Sequence, residues 1–161
     1  MTSRRMQPQR DSDVLSQALK LVRRHRRMTR AVVAQGMQMA LRTYDRFEAG
    51  GRSLNLDYIH HFAAATRSDP HAIVMAVAVG SPELALRCAD NKLVTALTIG
   101  GQRFNALLGD DIAGLEARPI ILAVCAMYDA LLAESDRQQA ATRWLENGVT
   151  DLAQVRPAPG R

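Results

Sequence analysis

Between Ser12 and Val79 apolar residues recur every third or fourth position, and capping residues, a proline and glycines cut the pattern into five short segments. That period lines one face of an α-helix, and strict two-residue alternation is hard to find anywhere in the chain. A chain patterned in this way is constrained to stack short helices on one another. The first helix is predicted from Ser12 or Asp13, with Val14, Leu15, Ala18, Leu21 and Val22 on one face. Its end carries Arg23, Arg24, His25, Arg26 and Arg27, and cations suit a helix C-terminus. Thr29 is predicted to cap a second helix whose apolar residues are Val32, Val33 and Met37. A third is predicted from about Ala40 to Ala49, ended by Gly50 and Gly51. A fourth covers Asn55 to Thr66, with Leu56, Ile59, Phe62 and Ala63 inward. Asp69 followed by Pro70 opens a fifth that reaches Val79.

Gly80-Ser81-Pro82 reads as a domain boundary. Beyond it, one helix is expected from Pro82 to Ile99, stopped by Gly100 and Gly101, and a shorter one from Arg103 to Leu108. Two more are expected, from Pro119 to Glu134 and from Asp136 to Gly148. The organisation read from the chain is therefore a flexible basic arm (1–11), a helical domain (12–80), a second helical region (81–150) and a disordered tail (151–161). The fold class is all-α. The apolar residues of the second region exceed what a tail carries, so it is expected to assemble two chains or to bind a protein partner.

Charge is divided unevenly. Up to Arg52 twelve basic residues face four acidic ones, a net +8, which leaves −3 for the rest of a chain whose total is +5. Such asymmetry points to a polyanion partner for the first third. Cys88 and Cys125 have no metal-binding spacing and read as small core residues of a reducing, cytoplasmic compartment. The charged segment MTSRRMQPQRDSD is not followed by an apolar run, and no stretch reaches the length of a membrane span. Neither a secretory leader nor a membrane partner is expected. His60, His61 and His71 read as surface or packing histidines, because adjacent histidines on a helix point about 100° apart. No Ser-His-Asp, Cys-His or phosphate-loop pattern stands out, so no catalytic residue, metal or cofactor is expected.

The most informative stretch is Met28 to Gly50, MTRAVVAQGMQMALRTYDRFEAG. With Met28-Thr29-Arg30, a small Ala34 in mid-segment and Phe47-Glu48-Ala49-Gly50 at its end, it resembles the lambda-repressor-like, or Xre-type, helix-turn-helix regulators. The resemblance extends over about 12–79. It departs from the family at Gln38, where the turn usually has glycine, and at Tyr44, usually a branched aliphatic. A left-handed Gln38 costs about 1 kcal/mol. Independently of the resemblance, Val33, Met37, Met39, Tyr44 and Phe47 are spaced to bury one face of a helix pair, leaving Leu41, Arg42, Asp45 and Arg46 outward.

The resemblance implies double-stranded DNA binding. Leu41, Arg42, Thr43 and Arg46 match positions that touch bases or nearby phosphates. Arg30, Arg52 and Ser53 match backbone-contacting positions, and Arg23 and Glu48 match a structural ion pair. Arg27 is expected at the backbone too. Arg24 and Arg26 are expected to make nonspecific phosphate contacts or none, and Arg4 and Arg5 to reach the duplex from the arm. The function implied is a sequence-specific transcriptional regulator, a repressor reading an inverted repeat as a homodimer through its C-terminal helices. The competing readings are an antitoxin-like or anti-activator module, whose DNA binding is secondary, and a nonspecific architectural binder.

Overall fold

The computed structural model describes residues 11–51 and 54–155, and every regular element among them is helical. Two compact units meet in sequence between Leu107 and Leu108. In the first unit α1 (Asp11–His25), α2 (Arg30–Gly36), α3 (Leu41–Glu48), α4 (Leu56–Thr66), α5 (Pro70–Val79) and α6 (Pro82–Arg87) are followed by α7 (Leu93–Leu108). The second holds a 3-10 segment, Gly109–Gly114, and the 39-residue α8 (Ala117–Val155).

Local chemistry accounts for the starts of the early helices. The Thr29 hydroxyl accepts from the Val32 amide at 3.2 Å, and Asn55 Oδ1 accepts from the Tyr58 amide at 3.1 Å. Asp69 Oδ1 accepts from the amides of His71 and Ala72, with Pro70 filling the position whose amide would have no partner. The stops are equally uniform. After each of α1 to α5 one residue turns left-handed, and the next amide reaches back five residues to a helix carbonyl, as from Met39 to Ala34 and from Gly51 to Arg46. Glycine fills this position only at Gly50 and Gly80; Arg27, Gln38 and Arg67 take it at φ 54°, 55° and 52°, each at a cost of about 1 kcal/mol. At Gly50 the requirement is double, since a Cβ there would be driven into the Ser12 carbonyl oxygen.

The core of the first unit forms where α1 packs on α3, α5 and α6, α2 on α3 and α4, and α5 on α4 and α6. Val14, Leu15, Ala18, Leu19 and Val22 carry the buried face of α1. Leu19, one turn from Leu15 and Val22, is wholly buried, whereas Leu21, expected on that face, stands at its edge and is half-buried. Leu56, expected inward, is about half exposed, as is Val32. Phe47 joins the helices through edge-on ring contacts with Tyr44, Tyr58 and Phe62, with centroids 5.5–6.5 Å apart.

The boundary expected at Gly80–Pro82 falls about 27 residues later. Gly80 ends α5, but α6 folds straight back, and Ala85 is wholly buried against α1 and α5. The chain is then clamped at Asp69. Beyond its two α5 amides, this buried carboxylate accepts from the Thr95 amide at 3.0 Å and the Thr95 hydroxyl at 2.7 Å. Burial alone would raise its pKa, but the bonds from Thr95, Ala72 and His71 outweigh burial and hold it below the ordinary carboxylate value. Its contribution is therefore present above the unfolded carboxylate range and is lost as pH falls through the lowered folded value. Asp69→Ala is expected to cost about 2 kcal/mol, combining a lost helix cap with orphaned donors. Urea unfolding at neutral pH checks it; a change below about 0.5 kcal/mol would show that solvent replaces the carboxylate.

In the later helices the expected breaks are absent. Gly100 and Gly101 lie inside α7 with open space around them, and the expected 82–99 segment is split at Cys88–Lys92 instead. Two interior glycines cost about 1–2 kcal/mol together, less than breaking the run between Leu97 and Phe104. The helices expected at 119–134 and 136–148 are one, since Glu134-Ser135-Asp136-Arg137 contains neither proline nor glycine and Arg137 pairs with Glu134 one turn back at 2.6 Å. Helix continues to Val155, through the first residues of the expected tail. Cys88 is buried, whereas Cys125 is exposed on α8 and is not a core residue.

Candidate nucleic-acid interface

Helices α2 and α3 are joined by a four-residue turn, Met37 to Ala40, that Gln38 makes possible by its left-handed backbone. Ala34 and Met37 are buried between the helices of this unit, with Val33 beside them. Helix α3 has two sharply different faces. Tyr44, Phe47 and Glu48 are buried, while Leu41 is 46% exposed and Arg42 and Arg46 stand in solvent. The two arginines are four residues apart and so lie on one side of the helix. Neither makes a hydrogen bond or ion pair with another described residue. Thr43 is half-buried beside them.

The buried face of α3 is fastened by charge. Arg23 Nε donates to Glu48 Oε1 at 2.5 Å, Arg23 Nη2 to Glu48 Oε2 at 3.2 Å, and Arg23 Nη1 to the Met28 carbonyl at 3.2 Å. Tyr44 supplies a further bond: its hydroxyl donates to Glu48 Oε1 at 2.7 Å, one turn along the same helix. A branched aliphatic in its place has no such group. The bond to Glu48 raises the Arg23 guanidinium above its ordinary value, and burial followed by the Glu48 bond raises the Tyr44 phenol well above its own. Stability from Tyr44 is therefore fully present below the unfolded tyrosine value near 10 and falls above it, where the unfolded chain releases a proton and the folded one keeps it. Unfolding titrations should show an extra loss of about 1 kcal/mol between about pH 10 and 11 that Tyr44→Phe abolishes. Equal slopes in the two proteins would place the titrating group elsewhere.

The remaining basic residues divide by partner. Arg30, exposed at the start of α2, pairs with Asp45 of α3 at 3.2 Å, which neutralises the single acidic side chain on the outward face of α3. Arg24 and Arg27 are exposed, Arg27 in the left-handed turn after α1. Of the two roles expected for Arg26, a nonspecific phosphate contact or none, its internal bonds favour the second. It donates to the Thr66 and Arg67 carbonyls at the end of α4 and to the Asp90 carboxylate at 2.5 Å, so it is a structural clasp rather than a phosphate contact. Its bond to Asp90 lowers that carboxylate's pKa. The sequence signal for this role is slight, because the partners lie 40 to 64 residues away. Arg52, Ser53, Arg4 and Arg5 lie outside the described residues. His60 and His71 meet edge-on at 5.6 Å, and no group of three or more His, Cys, Asp or Glu among the described residues is placed to hold a metal. No helix among them is long and apolar enough to cross a membrane.

Comparison with protein-family models, with curated proteins and with solved structures returned no match.

Proposed function

We propose that the first unit is a lambda-repressor-like helix-turn-helix domain that binds double-stranded DNA, with α3 as the helix that enters the major groove. One observation carries the reading: the exposed side of α3 offers Leu41, Arg42 and Arg46 without internal partners, while its opposite side is locked into the core. An α-helix with its side chains is about 10–12 Å across, which fits the roughly 12 Å width of the major groove. Arg42 and Arg46 each clamp a guanine edge through two hydrogen bonds, Leu41 meets a thymine methyl and Thr43 contacts a base or phosphate nearby. Arg30 and Arg27 hold phosphates from the flanking elements. The chain is then a transcriptional regulator, and repression is the simpler mode, since it requires only occupancy of a promoter. An inverted-repeat operator read by two copies supplies more specificity than one short helix provides.

Selection of bound duplexes from a random pool tests the reading. Recovery of an inverted repeat is the expected result. Recovery of no motif, with binding that vanishes as salt rises, overturns sequence-specific readout.

A further inference from the structure

Helix α8 spans 39 residues, about 58 Å, and among the described residues of its unit the other regular element is the short 3-10 segment. Helices in water draw most of their stability from packing an apolar face. A heptad seam runs along α8 through positions 121, 124, 128, 131, 135, 138, 142, 145 and 149. It carries no charge, although eight charged residues stand elsewhere on the helix. Ile121, Val124, Tyr128, Leu131, Leu145 and Val149 on it are 43–60% exposed, and Ser135, Gln138 and Thr142 form its polar centre.

We infer that this seam is covered by the seam of a second copy, running antiparallel, with the two-fold axis near the helix midpoint at 136–137. The pattern is self-complementary in that register. Val124 meets Val149, Tyr128 meets Leu145, and Ser135 meets Gln138, each pair summing to the same position number, as an isologous contact requires. The distribution of charge along the axis favours this direction. Asp129, Glu134 and Asp136 lie before the midpoint, and Arg137 and Arg143 after it. Along the axis, antiparallel pairing sets the acidic half of each helix level with the half that holds the partner's Arg137 and Arg143, whereas parallel pairing sets the two acidic halves level; these side chains stand off the seam and act through long-range repulsion, not contact pairs. Glu146 meets no cation in either case. Opposed helix dipoles favour the same direction. The seam from 121 to 149 is about 42 Å long and half a helix circumference about 17 Å wide, on the order of 700 Å² per copy. A stable interface needs about 800 Å² from each partner.

This inference deepens the dimer of the proposed function and is read without DNA, so its failure is separate from a failure of DNA recognition. The full chain should sediment as a dimer at micromolar concentration. Leu145→Asp should raise the dimer dissociation constant at least about a hundredfold, since each dimer would bury the new charge twice. Leu122→Asp, equally exposed but off the seam, should change it less than about threefold and leave unfolding of the first unit as it is. Exposed Cys125 reports direction. Antiparallel copies hold their two Cys125 thiols about 35 Å apart along the axis, so a short bis-maleimide should not join wild-type chains. Glu146→Cys should give a covalent dimer whose cross-link maps to Cys125 of one copy and the substituted position of the other. A monomer, a dimer indifferent to Leu145→Asp, or wild-type chains joined through Cys125 would each overturn the inference.

Discussion

Glu48→Ala is expected to destabilise the first unit by about 3 kcal/mol, the low end for breaking a buried ion pair by removing one partner. The low end applies because the Arg23 side chain keeps 13% of its exposure, against 4% for Glu48. Alanine leaves the Arg23 guanidinium with the Met28 carbonyl alone and the buried Tyr44 hydroxyl with no acceptor. The penalty is thus mainly that of groups left without partners, not the net worth of the pair. Two companions separate these contributions. Glu48→Gln keeps an acceptor for Tyr44 and should cost less. Arg23→Met with Glu48→Leu and Tyr44→Phe removes every polar member and should lie within about 1 kcal/mol of wild type. Urea unfolding followed by helical circular dichroism measures all of them. A loss below about 1 kcal/mol for Glu48→Ala would mean that water reaches the pair and that α3 is held by its apolar contacts alone.

Arg42→Ala and Arg46→Ala are each expected to weaken binding to a selected operator by about 1–3 kcal/mol, roughly 5- to 150-fold. Both side chains are exposed and unpaired among the described residues, so neither change should move the unfolding curve. The informative comparison is between operator and random DNA. A base-reading arginine loses discrimination at one position of each half-site, whereas a phosphate contact weakens all sequences alike and lowers the salt slope by about one. Arg30→Ala should behave in the second way, and more weakly, because Arg30 also serves Asp45. Titrations of labelled operator at two salt concentrations distinguish the cases. Uniform weakening by Arg42→Ala and Arg46→Ala would remove sequence readout from α3 and leave a basic surface.

Much of the α1 to α5 region was legible because its signals act within a turn or two. Thr29, Asn55 and Asp69-Pro70 are caps in the structure, and Gly50 and Gly80 are stops. The outward placing of Arg42 and Arg46 followed from the spacing of Tyr44 and Phe47, since a face must turn away from what the core buries. Tyr44 looked like a misfit by size, and its hydroxyl bond to Glu48 was not readable from the chain alone.

The sequence by itself determined that the chain is helical, where α2, α4 and α5 begin and α3, α4 and α5 end to within about a residue, and which side of α3 faces water. Caps, prolines and apolar periodicity carry these because each depends on residues within about one turn. Only the tertiary structure decided that α6 belongs to the first core and that Arg26 clasps α4 and Asp90. It also decided that Gly100-Gly101 and Asp136 lie inside longer helices. Which candidate face is covered depends on elements tens of residues away. A weak local break is overridden whenever continuing the helix gains more than about 1–2 kcal/mol.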